Sequence, residues 1–418
     1  MNKCLGDVAI LVGFASDGDA RPFCNQFAAM KNSRKLPAEE RFTIEHPSFT
    51  YAAQYMLAVM DVATGAWRRV DRAIDTDKSK WVRVGVRRLH SQDPIHCTKL
   101  LDKPQDSVRV LAAGKNQDSS ATNITKVYNS PAQTPLTRNS VLRQDRQNFG
   151  DCQIRSSIAT CDALREIGEV GTALFYEMQR RYVMIFLGQR ITMYERVVNA
   201  SYVIHFMRLQ RLFVKYFHAT NLTSNSWTYQ TYLHVQLSCH SAILLIKATR
   251  EFSPSVDFGG ELTGSDCVES LFRMLAGFGK ISAGSRDASL AEMLVTEGRN
   301  ATLKLAQAGK DGVVVRKRSK VEYQPQHVED MERDVCSKKC GDMDDAKILR
   351  GLEEGIKKAC ADWATLGVVP GGDIPAAEFA APWLLEKDDM KMMRKAEVRE
   401  DGEWQDIEGG VDALTAHM

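Results

Sequence analysis

The sequence predicts an α/β unit at the start, a mainly helical block in the middle and a charged, loosely ordered extension at the end. Three observations lead there. Asp7 to Ala15 is a short continuous apolar run, the pattern of a buried strand. Asp151 to Leu164, Gly171 to Leu187, Ile191 to His218 and Ser226 to Phe252 carry helical periodicity and read together as a bundle. From Val321 onward the chain is dense in charge, with runs such as Asp342-Met-Asp-Asp345 and Glu386-Lys-Asp-Asp389.

The chain has 418 residues, enough for two or three domains, and an apolar share of 44% that suits a folded core. Its charge is 55 − 53 = +2, so no global field draws it to nucleic acid and any such contact must come from local clusters. The ten cysteines have no framework spacing, and no leader is recognisable, so they read as reduced thiols of a nuclear or cytoplasmic protein. The Asn-x-Ser/Thr sites at Asn123, Asn199, Asn221 and Asn300 are then incidental. The most apolar region, Tyr182 to Phe217, is interrupted by Gln189, Arg190, Glu195, Arg196 and Arg208, which argues against a membrane span.

The apolar strand at 7–15 stops at Ser16-Asp17-Gly18-Asp19. A strand ending in acids can present carboxylates at the edge where open α/β sheets bind ligands, and Asp-Gly is equally a plain turn. Ala20 to Lys31 fits a following helix, Lys31 to Glu45 a loop, Phe49 to Val62 helical spacing, and Asp61 to Val86 a charged hairpin or loop. At Asp93-Pro94 a helix starts, with Asp as cap and Pro in the first turn, which puts His96 and Lys99 on one face. That face suits contact with a phosphate or carboxylate, or is simply a capped surface. Lys115 to Asn148, rich in Ser, Thr, Asn, Gln and Pro, reads as a linker or long irregular loop.

In the helical block Arg180, Arg181, Arg190, Arg196, Arg208, Arg211 and Lys215 interleave with Tyr182, Tyr194, Phe206, Phe213 and Tyr216. Basic residues beside aromatics suit a nucleic-acid groove, and also an ordinary bundle whose Arg stems lie over its core. Glu261 to Leu275 follows, with Val268, Leu271, Phe272 and Leu275 on one helical face and Glu269 beside that stripe in the first turn. Glu269 is placed either to hold a metal ion or to close a capping box with Asp266. Ser289 to Gln307 is a further helix. Gly277-Phe-Gly-Lys280 lacks the spacing of a phosphate loop, and His327, Cys336 and Cys340 lack a fourth zinc ligand. Val315 to Lys320 is a short basic cluster of the nuclear-address kind. Asp345 to Leu366 reads as a helix within the charged extension.

Several of these pieces, taken in order, resemble the transposase domain of eukaryotic cut-and-paste elements of the P-element and THAP kind. The resemblance covers roughly residues 7–307. The strand ending in Ser-Asp-Gly is similar to the one that presents that family's second catalytic aspartate, here Asp17. Asp93-Pro-x-His96-x-x-Lys99, Asp145-Arg-Gln-Asn148 and Leu222-Thr-Ser-Asn225 resemble three of its later segments. Gly264-Ser-Asp-Cys-Val-Glu269-Ser-Leu-Phe resembles the segment of its last catalytic acid, with Glu269 in that place.

The resemblance implies an RNase H-like fold interrupted by a mainly helical insertion, with a DDE-type Mg²⁺ site that includes Asp17 and Glu269. It further implies a DNA partner contacted by His96, Lys99, Arg180, Arg181, Arg208 and Arg211. The expected division is 1–140 for the partial catalytic domain, 141–255 for the insertion, 256–310 for the closing helices and 311–418 for the extension. The family's first catalytic aspartate stands on an earlier strand, for which the six residues before Asp7 leave no room. The expectation is therefore a truncated or decayed transposase, with a non-enzymatic DNA- or chromatin-binding protein and an unrelated helical scaffold as alternatives.

Overall fold

The computed structural model describes residues 10–16, 41–47, 49, 52–61, 67–69, 81–102, 111–115, 118–142, 148–188, 191–217, 225–252, 254–255, 258, 339–375 and 379. Most of these residues are helical. Five strands form one mixed sheet: β1 (Ile10–Ser16), β2 (Arg41–Thr43), β3 (Ala52–Asp61), β4 (Trp67–Arg69) and β5 (Trp81–Gln92). The order is β1-β5-β3-β2, with β4 also on β3. β1 runs parallel to β5, and every other pairing is antiparallel.

β1 stands where the apolar run places it. One expectation in this region is corrected. Of residues 49–62, which carry helical spacing, 52–61 form β3 instead. Ala52 to Met60 is nearly continuous in apolar residues, a pattern that also suits a strand with neighbours on both sides. Its eight-residue pairing with β5 outweighs the local periodicity. Within the charged hairpin or loop expected at 61–86, β4 pairs antiparallel with β3, and β5 begins at Trp81. The signal was present: Val82, Val84 and Val86 alternate with Arg83 and Gly85, the two-residue period of a strand.

Helix α1 (Pro94–Asp102) leaves the end of β5 directly. Asp93 Oδ1 accepts from the amides of Ile95 (2.8 Å) and His96 (3.3 Å), so this is the capped Asp-Pro start that the sequence predicts. The proposed linker at 115–148 is more ordered than expected. After the short ribbon β6 (Leu111–Ala112) and β7 (Asp118–Ser119) come α2 (Ala121–Tyr128) and α3 (Arg138–Leu142). Ile124 and Val127 are buried, and Asn123 Nδ2 donates to Thr172 Oγ1 at 2.8 Å. Two apolar residues one turn apart suffice to dock a short helix whose composition otherwise reads as loop.

The helical block is α4 (Phe149–Arg155), α5 (Ile158–Glu166), α6 (Val170–Leu187), α7 (Met193–Phe217) and α8 (Tyr229–Phe252), close to the predicted spans. α7 is its axis. An unbroken run from Arg196 to Gln210 is buried, because α6, α8 and a later helix all pack on α7. α8 in turn lies against β5, and Lys247 Nζ donates to the Thr43 carbonyl at 3.0 Å, joining bundle to sheet.

That later helix is α9 (Asp345–Thr365), within a residue of its predicted span. Asp344 caps it, accepting from the Lys347 amide at 2.6 Å. It is a core element and not part of a loose extension. Trp363 is fully buried, leans on Phe206 and Phe213, and donates to the Phe206 carbonyl at 3.2 Å. Gly351 and Gly355 let the two helices approach closely. A Cβ at Gly355 would stand 2.6 Å from the Val198 carbonyl oxygen and 2.7 Å from the Tyr202 nitrogen. Those are backbone atoms and cannot turn aside, so Gly355→Val is expected to cost about 1–3 kcal/mol by forcing the helices apart. Denaturant titration checks this, and a variant as stable as the parent would refute it.

Candidate functional site

The register of β1 on β5 pairs Ser16 with Gln92, the last residue of each strand. Two strands far apart in sequence therefore end side by side at one edge of the sheet. α1 starts there, with buried Asp93 at its cap. Ligands of open α/β sheets bind at such carboxyl edges. Asp17 follows Ser16 and lies outside the described residues, as does Glu269. The two proposed metal ligands are therefore not placed. Among the described residues, no group of three His, Cys, Asp or Glu side chains could hold a metal ion.

α1 is the meeting point of three of the segments singled out above. Asp102, at its last turn, is fully buried and forms an ion pair with Arg155 of α4. Burial opposes the Arg155 charge, but Asp102 beside it more than offsets that and holds the guanidinium protonated. Arg155 Nη1 also donates to the Ser140 carbonyl at 2.5 Å, and Cys152 Sγ donates to Asp102 Oδ2 at 3.3 Å. α4 is the helix that Asn148 opens, its Oδ1 accepting from the Gly150 amide at 3.0 Å. From the other side Trp227 Nε1, two residues beyond Asn225, donates to the Leu101 carbonyl at 3.2 Å and stacks on Phe175. The sequence hint for Asp102 was a charge directly after Leu100-Leu101 in an apolar helix, a position that demands a partner.

The proposed DNA contacts fall in three places. His96 and Lys99 are half-buried on α1, with His96 near His234 of α8. Arg180 and Arg181, both half-buried, face the first turns of α7. Arg181 pairs with Glu177 at 2.7 Å, donates to Asn199 Oδ1 at 3.1 Å and lies over the Tyr202 ring. Arg208 and Arg211 lie near the other end of α7, roughly 18 Å further along at 1.5 Å per residue. Arg208 is interior, and burial lowers its pKa. Arg211 sits over the Tyr232 ring of α8. Periodicity alone could not separate these, because an Arg stem packs on a core whether its head reaches water or not.

Arg196 shows the same point most fully. It is 1% exposed, and its guanidinium donates to the carbonyls of Met184 (3.1 Å), Ile185 (2.6 Å) and Gly188. These are carbonyls of the last turn and C-cap of α6, where Met184 also accepts from the Gly188 amide, so Arg196 caps that helix.

Sequence reasoning passed over the buried histidines. His205 of α7 and His240 of α8 each donate Nδ1–H to the carbonyl four residues earlier, Ser201 and Gln236, at 2.7 Å. With His234 they are almost without solvent contact. Burial pushes all three down to about 3, helped by Arg208 and His46 near His205, by His205 and Arg208 near His240, and by His96 near His234. Cys97, beside Ser238, and Cys161 are pushed up to about 12 by burial, so neither is a thiolate nucleophile.

No helix among the described residues is long and apolar enough to cross a membrane. Comparison of the chain with known protein families, with curated proteins and with solved structures finds no match.

Proposed function

We propose that this chain is a relative of cut-and-paste DNA transposases of the P-element and THAP kind that binds DNA. The observation that carries the reading is the parallel β1–β5 pair with its two ends in register. It brings the strand that leads into Asp17 beside the Asp93-Pro-x-His96-x-x-Lys99 helix, which supports an RNase H-like reading of the sheet. The convergence of the segments around Asn148 and Asn225 on α1 supports the same reading.

In this reading Asp17 and Glu269 would hold Mg²⁺, which in intact relatives activates the attacking oxygen and stabilises the leaving one. Lys99, Arg180 and Arg211, all half-buried, are the residues offered to phosphates, and the nucleus is the compartment that such a partner implies.

The full chain is expected to bind duplex DNA with an affinity that falls linearly on a log–log plot against salt. Lys99→Met should lower that slope by about one, the effect of one phosphate contact. Absence of binding at low salt in a gel-shift titration would remove the reading and leave a helical scaffold.

A further inference from the structure

A half-open pocket of about 230 Å³ lies between α6, the start of α7 and α9. Arg180, Arg181, Tyr194, Asn199, Glu354 and Lys358 line it, together with apolar side chains that include Met184 and Val198. The charges around it are matched unevenly. Glu177 answers Arg181 at 2.7 Å and is at the same time the ion-pair partner of Arg165. Glu354 answers Lys358 at 2.7 Å and accepts from Tyr194 Oη at 2.7 Å. Glu195, the other acid of the lining, accepts from the amide and the hydroxyl of Thr192 at the start of α7.

Arg180 has no carboxylate of its own. Among the described residues it makes no ion pair or hydrogen bond, and its Nε is out of contact with solvent and lacks an acceptor. A guanidinium N–H left in that state costs on the order of 1–3 kcal/mol. The planar fork of arginine matches the spacing of two oxygens on one carbon or phosphorus. Apolar lining beside it lowers the local dielectric and strengthens such a pair.

We infer that this pocket binds a small oxyanion, a carboxylate or a phosphate, on Arg180. Tyr194 and Lys358 stand at the same opening, and Lys358, 46% exposed, adds positive charge at the rim. The site shares Arg180 with the proposed DNA contacts, but a soluble anion and duplex DNA are assayed separately, so either reading can fail alone.

Isothermal titration of the full chain with inorganic phosphate and with succinate, at matched ionic strength, tests it. Saturable one-site binding of either anion is expected. Phosphate alone would assign a tetrahedral ligand, succinate alone a carboxylate, and both a general oxyanion site. Arg180→Met, which keeps the packed stem and removes the charge, should weaken binding about tenfold or more. Lys358→Glu, on the exposed rim, should weaken it several-fold and is safe for folding. Two results overturn the inference: neither anion binds at concentrations up to about 10 mM, or both variants bind as the parent does.

Discussion

Lowering the pH from 7 to 5 is expected to unfold this protein or bring it to the verge of unfolding, and the cause is the trio His205, His234 and His240. Each is pushed down to about 3 in the folded chain, whereas an exposed histidine titrates near 6.5. Above pH 6.5 both states are neutral at these positions, and the histidines add no pH dependence. Below it the unfolded chain takes up protons that the folded chain refuses, until about pH 3. One such histidine costs about 1.4 kcal/mol per pH unit in that window, so three cost about 4.

At pH 5 the sum is roughly 6 kcal/mol, comparable with the whole stability of many domains. Glu177, held below its ordinary value by Arg181 and Arg165 against its own burial, acts in the same direction at lower pH. Denaturant titrations between pH 7.5 and 5 would give the slope, which should approach three protons. Replacing His205 and His240 together by Asn, whose amide can still donate to the carbonyl four residues back, should reduce the slope by about two. A stability that stays flat down to pH 5 would show that these rings are not held neutral.

Asp102→Ala is expected to cost about 3–5 kcal/mol, the range for removing one member of a buried ion pair. Both partners are interior, Asp102 at 0% exposure and Arg155 at 3%. The substitution leaves the guanidinium with the Ser140 carbonyl at 2.5 Å and the Cys152 sulfur at 3.7 Å, and removes an acceptor of Cys152. The surface pair Lys126–Glu169 gives the contrast. It closes at 2.6 Å, but its lysine is 54% exposed, so Lys126→Ala should cost about 1 kcal/mol or less.

The double variant Asp102→Leu with Arg155→Met removes both charges together and should recover most of the loss. Equal instability of the double and single variants would mean that the fold depends on the ion pair itself and not merely on avoiding an unpaired charge. Because the pair joins α1 to α4, the single variant also tests whether the helix carrying His96 and Lys99 is held from that side. Weaker DNA binding should accompany the loss of stability.

Much of this architecture is legible in local sequence because its determinants are local. The apolar run before Asp17 and the long periodic stretches predict β1, α6, α7, α8 and α9 to within about three residues, and the Asp93-Pro94 cap predicts the start of α1. Periods of 2 and 3.6 and the chemistry of helix ends act over a few residues, and no distant contact is needed to read them. β3 marks the limit. Its apolar residues satisfy a helical period, and only pairing with β5 makes it a strand.

What the tertiary structure alone decided concerns charge and burial. Arg180, Arg196 and Arg208 look alike in sequence, yet one faces a pocket, one caps α6 from inside, and one lies buried against α8. Whether Asp102 is a surface acid or half of an interior ion pair, and whether α9 is a tail or a wall of the core, also depends on elements far away in the chain. The physical reason is that the free energy of a charge is set by what surrounds it in space. Periodicity records only which side of an element is apolar, and not what that side will meet.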